Sequence, residues 1–399
     1  MQVTKYKSFG ITAPALFLAV LGSIFAYKNF HEPAENTVLP VYAQDVLEKC
    51  KNEKHRPSCY DKEIPKLMSS LSMEEAFQVT RLVQEKDQNY WYCHVLGHEI
   101  SAKETAKDPS QWKDVVARCP SGMCSNGCIH GAFQEKFRVE AIPNADISIL
   151  AEELGGICVS RPGWNPTGME RGTCYHALGH LAMYVTSADT TKSLRLCDVI
   201  TQKENSGGLT QVCYDGVFMQ IFQPLEPEDF ALVEGKQPTK ESVHEFCWSF
   251  SGKERGACWS ESWPLFFNEV TTASGLTKFC SVHQDPAEEN RCFVALFHVL
   301  TAQFNFQEPD ILKLCQGLSQ ERKGQCFANA AARFIETDAR LIEKSISLCR
   351  TAASMGVGDI CFQELLVYST YNFHKGSEPY LRLCNSMPGE WKEKCLNRR

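Results

Sequence analysis

Residues 171–180 read RGTCYHALGH, and parts of this stretch recur along most of the 399-residue chain. Cys174 is followed two positions later by His176 and, four positions beyond that, by His180. Side chains four apart lie on one face of an α-helix, so we expect the two imidazoles to lie side by side. The cysteine and the histidines need separate explanations, because only the cysteine recurs throughout the chain.

The cysteine belongs to a repeat that is marked by pairs of cysteines. One cysteine of each pair closes an amphipathic run, as at Cys197, and the other opens an apolar run, as at Cys213. From Cys119 onward, successive first cysteines are 33 to 50 residues apart. Such a period with two helical segments per unit is typical of an αα solenoid. We therefore predict an all-α, disulfide-stapled αα-hairpin repeat solenoid of about ten repeats, each packed on its neighbours only.

This arrangement pairs all twenty cysteines. Cys93 and Cys124 stand outside the hairpin pattern, and we expect them to bridge neighbouring units. One further unit lacks the cysteine pair, and its second helix is predicted to begin at Tyr92. Disulfides form in oxidising compartments, so the cysteine content indicates an exported protein. The pairs expected within hairpins are Cys50–Cys59, Cys119–Cys128, Cys158–Cys174, Cys197–Cys213, Cys247–Cys258, Cys280–Cys292, Cys315–Cys326, Cys349–Cys361 and Cys384–Cys395.

The N-terminal residues predict a transmembrane helix that anchors the protein. Residues 8–27 carry no charged side chain and, at about 1.5 Å per residue, are long enough to cross a bilayer core of about 30 Å. Lys5 and Lys7 predict that residues 1–7 stay cytoplasmic, which makes this a single-pass membrane protein. Its C-terminal domain would then face the periplasm, the cell surface or a secretory lumen. The alternative is a signal peptide that is cleaved before Gln44.

Composition and charge complete the predicted organisation. The net charge is -7 and the basic residues are dispersed, whereas nucleic-acid binding needs a basic stripe, so we expect no nucleic-acid partner. Residues 28–45 are predicted to form a linker to a cysteine-rich helical domain at 46–399. Within that domain, the histidine-bearing repeats span 88–235 and the plain repeats span 236–399.

Histidines occupy equivalent positions in several repeats when the repeats are aligned on the start of the second helix. Equivalent positions of a repeat array stack into rows, so residues far apart in sequence become neighbours. Two of the units contain the pattern HxxxH, and imidazoles at i and i+4 on one helix can bind a single metal ion. We therefore predict a mononuclear or dinuclear metal site formed by His94, His98, His130, His176, His180 and Asp215.

The residue types at this site restrict its chemistry. Nitrogen and carboxylate ligands suit zinc, copper, iron or manganese. A catalytic site also needs a base that activates a bound water, and we assign that role to Glu99 or Asp215, with Glu135 as a further candidate. The pattern is not HExxH, so it specifies no reaction class and leaves open whether the protein is an enzyme.

Other interpretations of the histidines stay open at this point. Their rings could form structural hydrogen bonds between repeats, in a non-enzymatic scaffold that binds a peptide, a glycan or a partner protein along its groove. Metal-free acid–base chemistry is a further use of such residues. Gly97, Gly131, Gly179 and Gly216 beside the histidines predict either close helix packing or access for a ligand, since a helical glycine costs about 1 kcal/mol relative to alanine.

Overall fold

The computed structural model describes residues 38–138, 146–225 and 227–398. These residues are α-helical with short 3-10 turns and contain no β-strand, which confirms the predicted all-α class. Most of the helices pair into hairpins. In chain order they are α1 Leu39–Cys50, α2 Arg56–Glu63, α3 Met73–Lys86, α4 His94–Lys107, α5 Trp112–Arg118, α6 Gly127–Arg138, α7 Ile147–Glu153, α8 Gly168–Val185, α9 Thr190–Lys203, α10 Thr210–Phe222, α11 Pro227–Val233, α12 Val243–Trp248, α13 Gly252–Glu261, α14 Phe267–Val270, α15 Ala273–Cys280, α16 Pro286–Gln303, α17 Glu308–Gln316, α18 Gln320–Thr337, α19 Ile342–Ser354, α20 Gly358–Asn372, α21 Glu378–Ser386 and α22 Gly389–Leu396.

The disulfides link the two helices of each hairpin. All nine predicted hairpin pairs are present, and each joins a first helix, or the turn after it, to the second helix; Cys197 and Cys349 lie inside their first helices and not at the ends. The predicted Cys93–Cys124 bridge is also present and spans 31 residues. It ties the hairpin α3–α4, which lacks a cysteine pair, to the start of α6. Every cysteine is oxidised, and such pairing fits an extracellular, oxidising environment.

Local signals explain where the site-bearing helices begin. Thr167 caps α8 by accepting a hydrogen bond from the backbone N–H of Glu170, whose side chain accepts in return from the N–H of Thr167. Helix α4 begins at His94, two residues later than the predicted start at Tyr92. The Cys93–Cys124 disulfide lies immediately before this start and fixes the chain there.

Successive second helices pack against one another along the chain. Helix α4 packs on α6, α6 on α8, α8 on α10 and α10 on α13, and the series continues through α16, α18 and α20 to α22. The α4–α6 and α8–α10 pairs make the most extensive contacts between helices. The described part of the chain therefore brings the second helices of all the histidine-bearing hairpins into one continuous layer.

Some hairpins that are distant in sequence also touch one another. Helix α20 contacts α8, where the ring of Tyr371 packs over Gly168 and its hydroxyl lies at Gly172. Asn305 Nδ2 donates a hydrogen bond to the backbone oxygen of Asn89 at 3.0 Å, and the Arg340 guanidinium lies 5.2 Å from the centre of the Trp91 ring. The expectation that each repeat touches only its neighbours is therefore wrong, because late hairpins also pack against early ones.

The predicted localisation needs correction. Within the described ranges, no helix is both long and apolar enough to cross a bilayer. The longest helices, such as α18 with 18 residues, carry charged side chains and pack against neighbouring hairpins, so the expectation of a single-pass membrane protein is wrong for these residues. The anchor predicted at 8–27 and the stub at 1–7 lie outside the described residues, and α1 begins at Leu39, inside the predicted linker.

Candidate metal centre

Helices α4, α6 and α8 bring the five predicted histidines into one cluster. His130 lies between the two HxxxH pairs, with its ring centre 4.8 Å from that of His94 and 5.1 Å from that of His98. On its other side, its ring centre is 5.5 Å from those of both His176 and His180. His176 is half-buried and the other four rings are buried. The tertiary structure thus joins residues that lie up to 86 positions apart, from 94 to 180.

Three of these rings have the geometry of a metal-ligand set. The nearest ring nitrogens of His94 and His98, both Nε2, are 3.1 Å apart. Two nitrogens bound to one tetrahedral ion at 2.0–2.1 Å would be about 3.3 Å apart. His130 adds a third nitrogen, and one ligand atom from each of the three rings lies within 4.8 Å of the others. A single ion can therefore contact all three side chains after small side-chain movements.

The Nε2 atom of His130 differs from those of His94 and His98, which lie within hydrogen-bond distance of each other. His130 Nε2 is buried and has no hydrogen-bond partner among the described residues. A buried polar atom without a partner is costly, and such atoms mark the place of a water, an ion or a ligand. His130 Nε2 is therefore available to bind a metal ion together with the other two rings.

Burial also sets the protonation of the cluster. Loss of solvent lowers the pKa of all five histidines, and it lowers that of His98 to about 3. Neighbouring imidazoles add to the effect, because two protonated rings would repel each other. At neutral pH the rings are uncharged, which is the form that offers a lone pair to a metal ion.

The second HxxxH pair repeats the first with a different neighbour. His176 Nε2 and His180 Nε2 are 3.2 Å apart. His180 Nδ1 donates a hydrogen bond of 2.6 Å to Gln220 Oε1, and His176 Nε2 lies 3.3 Å from the Sδ atom of Met219. Met219 and Gln220 both belong to α10, which packs on α8.

Glycines bring these helix pairs into close contact. A Cβ atom at Gly131 would overlap the carbonyl oxygen of His98, and one at Gly216 would overlap that of His176. At Gly179 it would overlap the carbonyl oxygen of Cys213, and at Gly97 it would lie 2.9 Å from the backbone nitrogen of Cys128. The four glycines therefore serve close helix packing, which places the histidine-bearing turns of neighbouring helices side by side.

The cluster borders a cavity of about 310 Å³ between the histidine-bearing hairpins and the later hairpins. His94, His130 and His176 line it, whereas His98 and His180 lie one helical turn deeper, as predicted. The opposite wall comes from α13, α16, α18 and α20 and includes Glu261, His298, Arg333 and Tyr371.

The opposite wall carries a polar network that the sequence did not indicate. His298 Nδ1 lies 3.1 Å from Glu336 Oε2, its Nε2 lies 3.1 Å from Asn329 Oδ1, and Arg333 Nη1 donates to Glu336 Oε2 at 3.4 Å. Burial alone would raise the pKa of Glu336, but His298 and Arg333 lower it below its ordinary value. His298 follows Cys292 by six residues, as His180 follows Cys174, and this spacing is the sequence signal that could have identified it. Arg333 and Tyr371 line the cavity because hairpins that are far apart in sequence pack together.

Asp215 lies in a different environment from the five histidines. Its Oδ1 accepts a hydrogen bond of 3.1 Å from Gln211, and it is not among the residues that line the cavity. Burial raises the pKa of Asp215 to about 7, and burial together with the Asp215 charge raises that of Glu261. The structure therefore pairs Asp215 with Glu261 instead of placing it in the histidine row.

Glu99, the other predicted base, faces a different side of α4. Burial raises the pKa of Asp61 in α2 to about 6, and the Glu99 carboxylate adds to that rise. Adjacent residues of an α-helix point about 100° apart, so Glu99 does not share the direction of His98.

The fold and the histidine cluster define the class of this chain: an all-helical, disulfide-rich protein with a buried histidine triad that can hold a metal ion. In comparisons with known proteins, no family model, no curated protein and no solved structure matches it. Its function must therefore be argued from the geometry of the chain.

Proposed function

We propose that this protein binds a transition metal ion through His94, His98 and His130. The observation that carries the proposal is the convergence of three buried, uncharged imidazoles, one of which has an Nε2 atom without a hydrogen-bond partner in the described chain. Zinc, copper, iron and manganese all accept imidazole nitrogen, so the donor set alone does not choose among them.

The position of the cavity supports a site that also reacts with, or binds, a small molecule. His94 and His130 belong to both the triad and the cavity wall, so an ion held by the triad would have one side toward a space of about 310 Å³. Three protein ligands with one open position are typical of catalytic sites, whereas structural sites are closed. A metal ion bound there would supply Lewis acidity and lower the pKa of a bound water.

We further propose that the hairpins form a repeat solenoid that is curved into a ring-like array. The ordered packing of successive second helices supports a solenoid, and the contact between α20 and α8 supports the curvature. In this arrangement the second helices provide the inner wall, which explains why the cavity is lined mainly by them.

Elemental analysis of purified protein, never exposed to chelator, tests the proposed metal site. We expect at least about one equivalent of a transition metal in the wild type and in His374→Asn, because His374 is an exposed histidine outside the cluster. In His130→Asn we expect the metal content to fall by about one equivalent. Equal and low metal content in all three proteins, also after incubation with zinc or copper salts, would contradict the proposal.

The alternative function, a scaffold for a peptide, a glycan or a partner protein, receives less support. An extended partner needs a long open groove, whereas the histidines border a compact cavity of about 310 Å³. The metal analysis also separates the two functions, because a scaffold with structural histidines would keep its fold and contain no metal.

A further inference from the structure

The α8–α10 pair and the α4–α6 pair have the same construction. In each pair, a glycine of the second helix packs on the carbonyl oxygen of the first histidine of HxxxH: Gly127 on His94 and Gly216 on His176. Three residues after Gly127 comes His130, the third member of the triad. Three residues after Gly216 comes Met219. Met219 therefore occupies, at the second crossing, the place that His130 occupies at the first.

The distances agree with this correspondence. The Nε2 atoms of the two HxxxH pairs are separated by 3.1 Å and 3.2 Å, and the Met219 thioether sulfur is 3.3 Å from His176 Nε2. His176 Nε2 thus lies about as far from His180 Nε2 and from the Met219 sulfur as ligands of one ion lie from each other. His176 and Met219 both line the cavity, so the position is accessible to a small ion.

Hydrogen bonds on the outer side orient the two imidazoles. His180 Nδ1 donates to Gln220 Oε1, so its Nε2 carries the lone pair and faces His176. The His176 ring also forms a hydrogen bond with the backbone of Val212. Outer partners of this kind fix the ring and the tautomer of metal-ligating histidines.

We infer that His176, His180 and Met219 form a second metal site, separate from the His94–His98–His130 site, and that this second site takes Cu(I). A thioether is a soft ligand that selects Cu(I) over harder ions such as Mg²⁺ or Mn²⁺. Thiolates cannot take that role here, because all cysteines are in disulfides. The inference extends the proposed metal-binding function but rests on a different set of side chains.

The test is an anaerobic titration of the metal-free, disulfide-intact protein with Cu(I), with bicinchoninate as the competing chelator. X-ray absorption of the copper-loaded protein then identifies the ligand atoms. We expect one tightly held Cu(I) with both nitrogen and sulfur neighbours. In Met219→Leu, a change that conserves volume, the sulfur signal should vanish and the affinity should fall by at least about tenfold.

Met169→Leu is the matched control. Met169 lines the same cavity, and in the described structure no hydrogen bond joins it to His176 or to His180. It should leave the affinity and the sulfur signal unchanged. Selenomethionine-labelled protein gives an independent measurement without any substitution, since a selenium neighbour of copper should replace the sulfur neighbour.

The double variant His94→Asn with His98→Asn distinguishes the two proposals. It removes the first site, and we expect it to retain the copper–sulfur signal. A wild-type protein that holds no metal at the first site but shows this copper–sulfur signal would contradict the proposed function only. Cu(I) bound by nitrogen alone in the wild type, or unchanged Cu(I) affinity in Met219→Leu, would overturn the second site.

Discussion

At the scale of single residues, the five clustered histidines combine burial with close approach. Their pKa values lie below the ordinary value, because burial removes the solvent that would stabilise a positive charge, and the Asp229 carboxylate offsets this only in part for His98 and His180. The unfolded chain, by contrast, has histidines with a pKa of about 6.5. The folded state therefore binds fewer protons at these residues whenever the pH is near or below that value.

This difference predicts the pH dependence of the metal-free protein. Where the unfolded state binds more protons, stability falls as the pH falls, by about 1.4 kcal/mol per pH unit for each histidine that stays neutral in the folded state. The raised pKa values of Asp61, Asp215 and Glu261 act in the opposite direction but involve fewer groups. We expect the free energy of unfolding to decrease from about pH 7.5 to about pH 5.5.

Denaturant titrations at the two pH values measure this decrease. The variant with both His176→Asn and His180→Asn is the comparison, and its decrease should be smaller, whatever its absolute stability. An equal decrease in the variant and the wild type would show that these rings titrate normally in the folded protein.

At the scale of helices, the glycine contacts decide which side chains meet. Gly127 and Gly216 occupy corresponding places in the two helix crossings, although alignment on the cysteines pairs Gly131 with Gly216. The α8–α10 crossing is therefore displaced by one helical turn relative to that alignment. The displacement brings Met219 to His176 and leaves Asp215 beside Gln211.

Adding a methyl group at such a crossing should be costly. We expect Gly216→Ala to destabilise the protein by about 1–3 kcal/mol or more, because the new Cβ would overlap the backbone of α8. Gly256→Ala is the control: Gly256 lies inside α13, and a Cβ there meets no atom within 4 Å in the described structure. That change should be neutral or stabilising by up to about 1 kcal/mol. Urea denaturation of both variants measures the difference, and equal stabilities would refute the packing argument.

At the scale of the whole molecule, hairpins that are far apart in sequence line one cavity. Contacts between hairpins far apart in sequence hold it closed, and Arg340 contributes several of them. Its Nη1 donates to the backbone oxygen of Arg81 at 3.4 Å, its Nη2 donates to Gln84, and its charge faces the Trp91 ring. A cation over an aromatic ring and hydrogen bonds from a charged donor each stabilise by about 1 kcal/mol or more.

Removing this side chain should loosen the closure. We expect Arg340→Ala to lower stability by about 1–3 kcal/mol and to speed amide hydrogen exchange in residues 87–93. Arg350→Ala is the control, because Arg350 reaches only the backbone oxygen of Ser386 in the next hairpin. Hydrogen exchange followed by mass spectrometry compares the two variants. Unchanged exchange at 87–93 in Arg340→Ala would mean that other contacts alone keep the array closed.

The sequence by itself determined the all-α class, the hairpin disulfides and the bridge between Cys93 and Cys124. These features depend on local periodicity and on the spacing of paired cysteines, which are visible in one dimension. It also identified the five histidines, because equivalent positions in a repeat become neighbours. Only the tertiary structure decided that Met219 replaces Asp215 beside His176, and that His298 and Arg333 face the histidines across a cavity. The register of a helix crossing and the summed curvature of many repeats depend on packing between helices, which no single segment of the sequence encodes.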